Sequence, residues 1–336
     1  MGNKTLPKIS IVIVTYNNER TISKCAQCIK SQIYPKDKIE YLNIDGGSTD
    51  NTEKILKNHS FRIIKSPISH NAEAQRAIGV KEARNNLIVS IDADNYLPSP
   101  LWLQQMVRPF IDNDQVVHAG TLHYAYRKND SIINRYCALF GVLDPVVFYI
   151  GRPDRLSHLH KEWKKDIIKE TSGYYLVKFD SETLPTVGCN GVAYRRDLLL
   201  KYAKTDPNEF FHIDVFLDLI EKGLTTFAVV KNEVYHDTAA SLFVFMKKRI
   251  HFLTTYFLND HSLKRRYLIY NQRDTSHIIK LIFFIIYTIT LIKPFIDSII
   301  GYIKIRDSAW FLHPLICWIY LSTYSFAFFK KNKKII

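Results

Sequence analysis

The sequence is poor in the residues that punctuate or cross-link a chain. Glycine and proline each occur only 12 times in 336 residues, which excludes collagen-like and low-complexity character. The five cysteines are odd in number and widely scattered, so they form no disulfide framework. Cys25 and Cys28 make a CxxC, but no second pair follows; two partly buried helix thiols are the simpler reading than zinc or redox chemistry. A secretory leader is also missing from the reading: Met1–Lys8 is polar, and the apolar run Ile9–Val14 is too short for one. The expectation is a reduced, cytoplasmic setting. Disorder is excluded by 47% hydrophobic against 23% charged residues. The length favours two domains over one or three.

Acidic residues are in deficit: 32 Asp and Glu face 46 Lys and Arg, a net charge of +14. That excess fits nucleic acid, an anionic membrane or phosphate-bearing substrates. From Asn271 onward there are 9 Lys/Arg and 3 Asp/Glu, and the same stretch is the most apolar. Basic residues beside long apolar runs point to a membrane and away from nucleic acid. Ala309–Phe329 is 21 residues without a charge and runs into Lys330-Lys-Asn-Lys-Lys334. This is long enough to span a bilayer, with the lysines on the cytoplasmic side. Leu281–Ile303 is apolar but interrupted by Lys293, Pro294 and Asp297, so it reads as a kinked span or as a re-entrant or interfacial segment. Phe243–Phe257 mixes Phe243, Phe245, Ile250 and Phe257 with Lys247, Lys248 and Arg249, the pattern of an interfacial amphipathic helix or of an ordinary packing helix.

The first third of the chain alternates β-branched runs with helical patterns. Strands are predicted at Ile9–Val14, Ile39–Ile44, Phe61–Lys65 and Leu87–Ile91. Helices are predicted at Thr21–Gln32, Thr52–Asn58 and Asn71–Glu82. Such alternation builds an α/β fold with a mainly parallel sheet flanked by helices. Ligands then bind beyond the carboxyl ends of the strands. Three polar loops fall there: Thr15–Glu19, Asp45–Asp50 and Asp92–Asn95. Further on, Leu101–Ile111 reads as helix, Val116–Arg127 as strand, Gly151–Glu182 as a polar loop or small subdomain, and Thr186–Tyr194 as strand. Asp197–Tyr202 and Asp214–Glu221 read as helices, and Thr225–Val230 as a last strand before His236.

Asp92-Ala-Asp94 carries the clearest chemistry. Two carboxylates one residue apart at a strand end offer hard oxygen ligands to Mg²⁺ or Mn²⁺. Such a cation neutralises charge on a departing diphosphate.

Val12-Ile-Val-Thr-Tyr-Asn-Asn-Glu19, Ile44-Asp-Gly-Gly-Ser-Thr-Asp-Asn-Thr52 and Ser90-Ile-Asp-Ala-Asp-Asn95 together resemble the signature set of family 2 glycosyltransferases with the GT-A fold. The likeness covers about residues 7–240. It implies a GT-A type, Rossmann-like catalytic domain over 1–242, an amphipathic interfacial segment over 243–275 and a membrane-associated helical region with a basic tail over 276–336. It implies that Thr15, Tyr16, Asn17 and Glu19 line the nucleotide pocket, that Asp45 reads the nucleobase and that Arg76 approaches the diphosphate. Asp92 is expected near the ribose or a metal-bound water, Asp94 on the metal, and His236 at the metal or diphosphate, against the alternative of a surface histidine. The family often has a second Asp after the one matched by Asp45, where this chain has Gly46, and Asn after its Arg, where this chain has Ala77.

The resemblance also places a catalytic base at a helix start, which selects Asp214 in Phe210-Phe-His-Ile-Asp214, with Asp218 as its rival and a helix cap as its plain structural reading. The implied reaction is an inverting, metal-dependent transfer from a nucleotide sugar, expected to be a UDP-sugar, to a lipid-linked or cell-surface glycan acceptor. The protein is expected at the membrane with its catalytic domain facing the cytoplasm. Transfer to a polyprenyl phosphate, or a catalytically silent nucleotide-sugar-binding protein, are the alternatives. A nucleotidyltransferase would need a Gly-rich basic loop after the first strand, which Thr15–Glu19 lacks.

Overall fold

A computed structural model describes residues 5–257, 265–269 and 275–332, the side chains of 252–257 and 330–332 excepted. The chain divides into two compact units, Met1–Ala125 with Trp163–His236, and Tyr126–Glu162 with Asp237–Ile336. Residues 126–162 therefore group with the C-terminal helices, although they lie within the stretch 1–242.

The first unit is built on a ten-stranded sheet. Strands β1 (Ile9–Thr15), β2 (Ile39–Asp45), β3 (Arg62–Lys65) and β4 (Leu87–Asp92) run parallel in the order β3-β2-β1-β4. Helices α1 (Glu19–Lys30), α2 (Thr52–Asn58) and α3 (Ala72–Glu82) make the crossovers. Ile9, Ile11, Val12 and Ile13 are all buried, as expected of a parallel strand covered on both faces. Helix α1 buries Ile22, Cys25, Ala26 and Ile29, one face of a 3.6-residue period. Asn71 caps α3 by accepting the Ala74 N–H at 3.1 Å.

Beyond β4 the sheet becomes mixed. β9 (Val192–Arg195) runs antiparallel between β4 and β6 (His118–Tyr124), and β10 (Thr226–His236) runs parallel to β6. Helices α4 (Trp102–Asp112), α7 (Arg196–Tyr202) and α8 (Asp214–Glu221) complete this half. The polar stretch 151–182 contains a hairpin, β7 (Ile167–Glu170) and β8 (Tyr174–Lys178), that extends the sheet edge antiparallel to β10. All four residues of β7 are exposed, so no burial pattern announces it in the sequence. β10 outruns its expected end. A bulge between Val230 and Glu233 bends it, and its last residues pair with the short β5 (Asn95–Tyr96). The Trp102 indole donates to the Glu233 carbonyl at 3.0 Å and holds that bend.

The second unit is helical: α5 (Ile132–Phe140), α6 (Pro145–Ile150), α9 (Leu242–Phe257), α10 (Thr275–Thr290), α11 (Ile292–Lys304) and α12 (His313–Asn332). Its core gathers Phe140, Phe245, Trp310, Ile316 and Tyr320. α5 and α6 are not foreseen from the sequence. Gly141 ends α5 in the left-handed region, and Asp144 caps α6. α9 buries Phe245 and exposes Phe243, Lys247 and Lys248, whereas the side chains of Phe252, Leu253, Phe257, Lys330 and Lys331 lie outside the described residues, as does the chain from Lys333. Among the described residues, Ile132–Ile150 and Ser308–Phe329 are long and apolar enough to cross a membrane, and α10 with α11 would be so if counted as one bent span; two thirds of the first stretch is buried within the protein, and one third of the second.

Gly79 lets α3 close on the sheet, since a β-carbon there would lie 2.6 Å from Val12 Cγ1. Gly79→Ala is expected to lower stability by about 1–3 kcal/mol. Pairing it with Val12→Ala should cost less than the sum of the two single changes, as read by thermal unfolding. Strict additivity would show that helix and strand do not touch there.

Candidate active site

β1, β2 and β4 are neighbours, so their carboxyl-end loops converge. The first two loops clasp each other. The Asn17 N–H donates to Ser48 Oγ at 2.9 Å, and Asn17 Oδ1 accepts the Thr49 N–H at 2.8 Å. Asn17 takes a positive φ of 51° to do so. Glu19 accepts from the Asn51 side-chain amide at 2.6 Å. Tyr16 packs on His70 with ring centroids 3.7 Å apart. Asp45 is fully buried, and its carboxylate accepts from Thr15 Oγ1, Ser48 Oγ and the N–H groups of Gly47 and Ser48, at 2.5–2.9 Å. This carboxylate shapes the loop from inside. Gln75 donates to the Thr15 and Ile44 carbonyls, locking both strand ends to α3. A β-carbon on Gly46 would meet the Gln75 amide at 3.0 Å, so that amide fills the space a second aspartate would need.

At the third loop, Asn95 accepts the Asp92 N–H and closes the turn. Arg76 Nη2 lies 3.0 Å from Asp92 Oδ1. Cys25 lies behind this strand end, its thiol donating to the Asp92 carbonyl at 3.6 Å. The return of β10 against β5 brings His236 Nε2 to 3.6 Å from Asp94 Oδ1. The amide of Asn190, a residue that the sequence reading leaves unassigned, stands 3.5 Å from His236 Nδ1.

Among the described residues, no three His, Cys, Asp or Glu side chains gather closely enough to hold a metal alone. Asp94 and His236 make a two-donor pair on partly exposed side chains. That set fits a hard cation that keeps waters and completes its shell with substrate oxygens. Asp92, two residues away on the same loop, pairs with Arg76 through Oδ1.

A charged chain runs behind these groups. Glu73 accepts from Arg76 Nη1 at 3.1 Å, lies 2.8 Å from His212 Nδ1 and accepts the His212 backbone N–H at 2.8 Å. Burial alone would raise the Glu73 carboxyl, but the charges of His212 and Arg76 and the bonds from His212 bring it down to about 2. Burial also opposes an imidazolium, yet Cys189 and Glu73 lift His212 to about 10. Sequence reasoning missed Glu73 and His212. The available signal was Glu73 three residues before Arg76, on one helix face.

Asp214 is buried at the first position of α8, where the helix dipole favours a carboxylate. The cap position itself belongs to Ile213. Asp218 accepts the Lys204 N–H at 2.9 Å, which ties it to the start of the loop that leads from α7.

A sequence profile described as Glycosyl transferase family 2 matches residues 10–202. The chain belongs to glycosyl transferase family 2. It is 28% identical over 137 residues to "Glycosyltransferase AglE" of Haloferax volcanii, covering 39% of this chain and 45% of that one. It is 33% identical over 103 residues to "Poly(ribitol-phosphate) beta-glucosyltransferase" of Bacillus spizizenii, covering 29% and 16%. It is 35% identical over 94 residues to "Dolichyl N-acetyl-alpha-D-glucosaminyl phosphate 3-beta-D-2,3-diacetamido-2,3-dideoxy-beta-D-glucuronosyltransferase" of Methanococcus voltae, covering 26% and 29%. The matches span less than half of each relative. The fold is shared with "Mannosyltransferase PcManGT from Pyrobaculum calidifontis in complex with GDP-Man and Mn2+", at a TM-score of 0.53 and 13% identity, over 97% of this chain and 88% of that one. The family match runs from β1 to α7 and so includes residues 126–162, which group with the second unit.

Glu73→Gln removes the anion between two cations. His212 should then titrate lower than in the unaltered protein, with Cys189 still opposing the effect of burial, as read by NMR, and stability should fall by roughly 1–3 kcal/mol. In the unaltered protein Glu73's contribution is complete above pH 4.5 and lost as pH falls through about 2. That of His212 is complete below pH 6.5 and lost as pH rises through about 10. An unchanged His212 titration in the variant would break this coupling.

Proposed function

We propose that the first unit transfers a sugar, with inversion, from a nucleotide-diphosphate donor, most simply a UDP-sugar, to a hydroxyl of a lipid-linked or cell-surface glycan. The observation that carries this reading is the pairing of Asp94 with His236 beside the Arg76–Asp92 ion pair. A cation donor set and a guanidinium at the end of β4 are what a diphosphate leaving group requires. Held by Asp94 and His236, Mg²⁺ or Mn²⁺ would neutralise the charge that develops on the leaving diphosphate.

Arg76, steadied by Glu73, adds positive charge on the same side. Asp92 keeps that guanidinium in place and faces the ribose. Thr15, Tyr16, Asn17 and Glu19 form the nucleotide side of the pocket, and Asp45 serves recognition by setting the loop that meets the base. Asp214 accepts the proton of the acceptor hydroxyl as it attacks the anomeric carbon.

The lipid-linked acceptor draws support from the Methanococcus voltae relative, whose name specifies a dolichyl-linked phosphate acceptor, and the glycan acceptor from the poly(ribitol-phosphate) relative. Membrane association draws support from Ser308–Phe329; a catalytic unit on the same side as the lysines that follow it goes with an even number of crossings or with none. Transfer to a polyprenyl phosphate is the neighbouring reading, since that acceptor is already an anion and needs no strong base.

The test is release of UDP and GDP from a panel of nucleotide sugars, with Mn²⁺ or EDTA, on detergent-solubilised protein. Asp94→Ala should abolish metal-dependent nucleotide binding; unchanged binding would refute its place at the metal. Asp214→Asn should lower kcat by roughly 10²–10⁴ while nucleotide binding persists. Full turnover in that variant would favour the phosphate acceptor, and absence of any nucleotide binding in the unaltered protein would favour a role without catalysis.

A further inference from the structure

α10 and α11 are inside out. On α11 the exposed residues include Ile292, Phe295, Ile296, Ile299, Ile300 and Ile303, spaced three and four apart, with Tyr302 and Lys304 at the C-terminal end. The face turned into the protein is small or polar: Pro294, Asp297, Ser298 and Gly301. Ser298 donates to the Trp310 carbonyl at 2.8 Å, and Tyr149 donates to Asp297 at 2.9 Å. Gly301 lies against the Trp310 indole so closely that a β-carbon would meet it at 2.3 Å. α10 likewise exposes Ile278, Ile282, Phe283, Ile286 and Ile289 while burying His277, Phe284 and Thr288. A helix on a water-washed surface has the reverse arrangement. Exposed apolar stripes on two successive helices call for an apolar partner.

Length and charge identify that partner. The arms have 16 and 13 residues, or about 24 and 20 Å, each shorter than the roughly 30 Å hydrocarbon core of a bilayer. They meet at an angle of 81° at Leu291, whose φ is 59°. Basic residues mark three places along the path: Lys280 near the start, Lys293 beside the bend, and Lys304 with Arg306 at the end. A hairpin with its tip in the hydrocarbon would carry Lys293 and its partner Asp297 to the greatest depth, where charge is least tolerated. Lying in the plane of the interface keeps every basic point among anionic headgroups.

We propose that α10 and α11 form an L that lies within one leaflet of an anionic bilayer, apolar stripes toward the acyl chains, and does not cross it. This proposal stands apart from the transfer reaction.

The full-length protein would be reconstituted in phosphatidylethanolamine–phosphatidylglycerol vesicles as Lys280→Cys, Lys293→Cys and Lys304→Cys. A membrane-impermeant maleimide would be applied before and after permeabilisation, with labelling of the unsubstituted protein subtracted. In vesicles sorted to a majority of one orientation, an in-plane L predicts equal labelled fractions at the three positions before permeabilisation. Labelling at 293 that is complementary to that at 280 and 304 would overturn the proposal in favour of a crossing pair. Protection of 293 even after permeabilisation would overturn it in favour of a deep tip. A stable, lipid-free oligomer with all three positions protected would also overturn it, by showing a second copy on this face.

Discussion

Glu73 accepts from Arg76 on its own helix and from both the backbone and the ring of His212, so one carboxylate joins two cations that lie on different elements. Arg76 reaches on to Asp92 with its other nitrogen. α3, the end of β4 and the entry to α8 are thereby registered to one another. In a partly buried site such charges cannot be released singly without leaving an uncompensated partner. The candidate base at Asp214 lies two residues past His212, at the first position of α8.

Two further devices set the rest of the site. Asp45 turns its acceptors on the loop that follows it, which fixes the Gly-Gly-Ser turn at the carboxyl end of β2. The bulge in β10 turns a strand of the main sheet toward β5 and carries His236 to Asp94. Neither device uses a long or unusual motif; both use backbone geometry that a few side chains hold in place.

The helical unit obeys a different rule. Its polar and small residues are turned inward and its isoleucines outward on α10 and α11, the pattern expected where the surrounding medium is less polar than the interior contacts. Composition alone shows an apolar, basic region. It does not show which faces of the helices are covered.

The parallel half of the sheet, its crossover helices and the three converging loops were legible because hydrophobic period and turn chemistry are local properties of the chain. α5 and α6 escaped because their stretch offers apolar residues without a clear frame, and β7 because it is an exposed edge strand. The sequence by itself determined the α/β order, the Asp92–Asp94 pair at a strand end and the family. Only the tertiary structure decided that Asp92 answers to Arg76, that His236 stands at Asp94, and that Glu73 and His212 matter at all. The physical reason is distance along the chain: Glu73 and His212 are 139 residues apart, and Trp102 and the bulge it holds are 131 apart, so only packing brings these groups together.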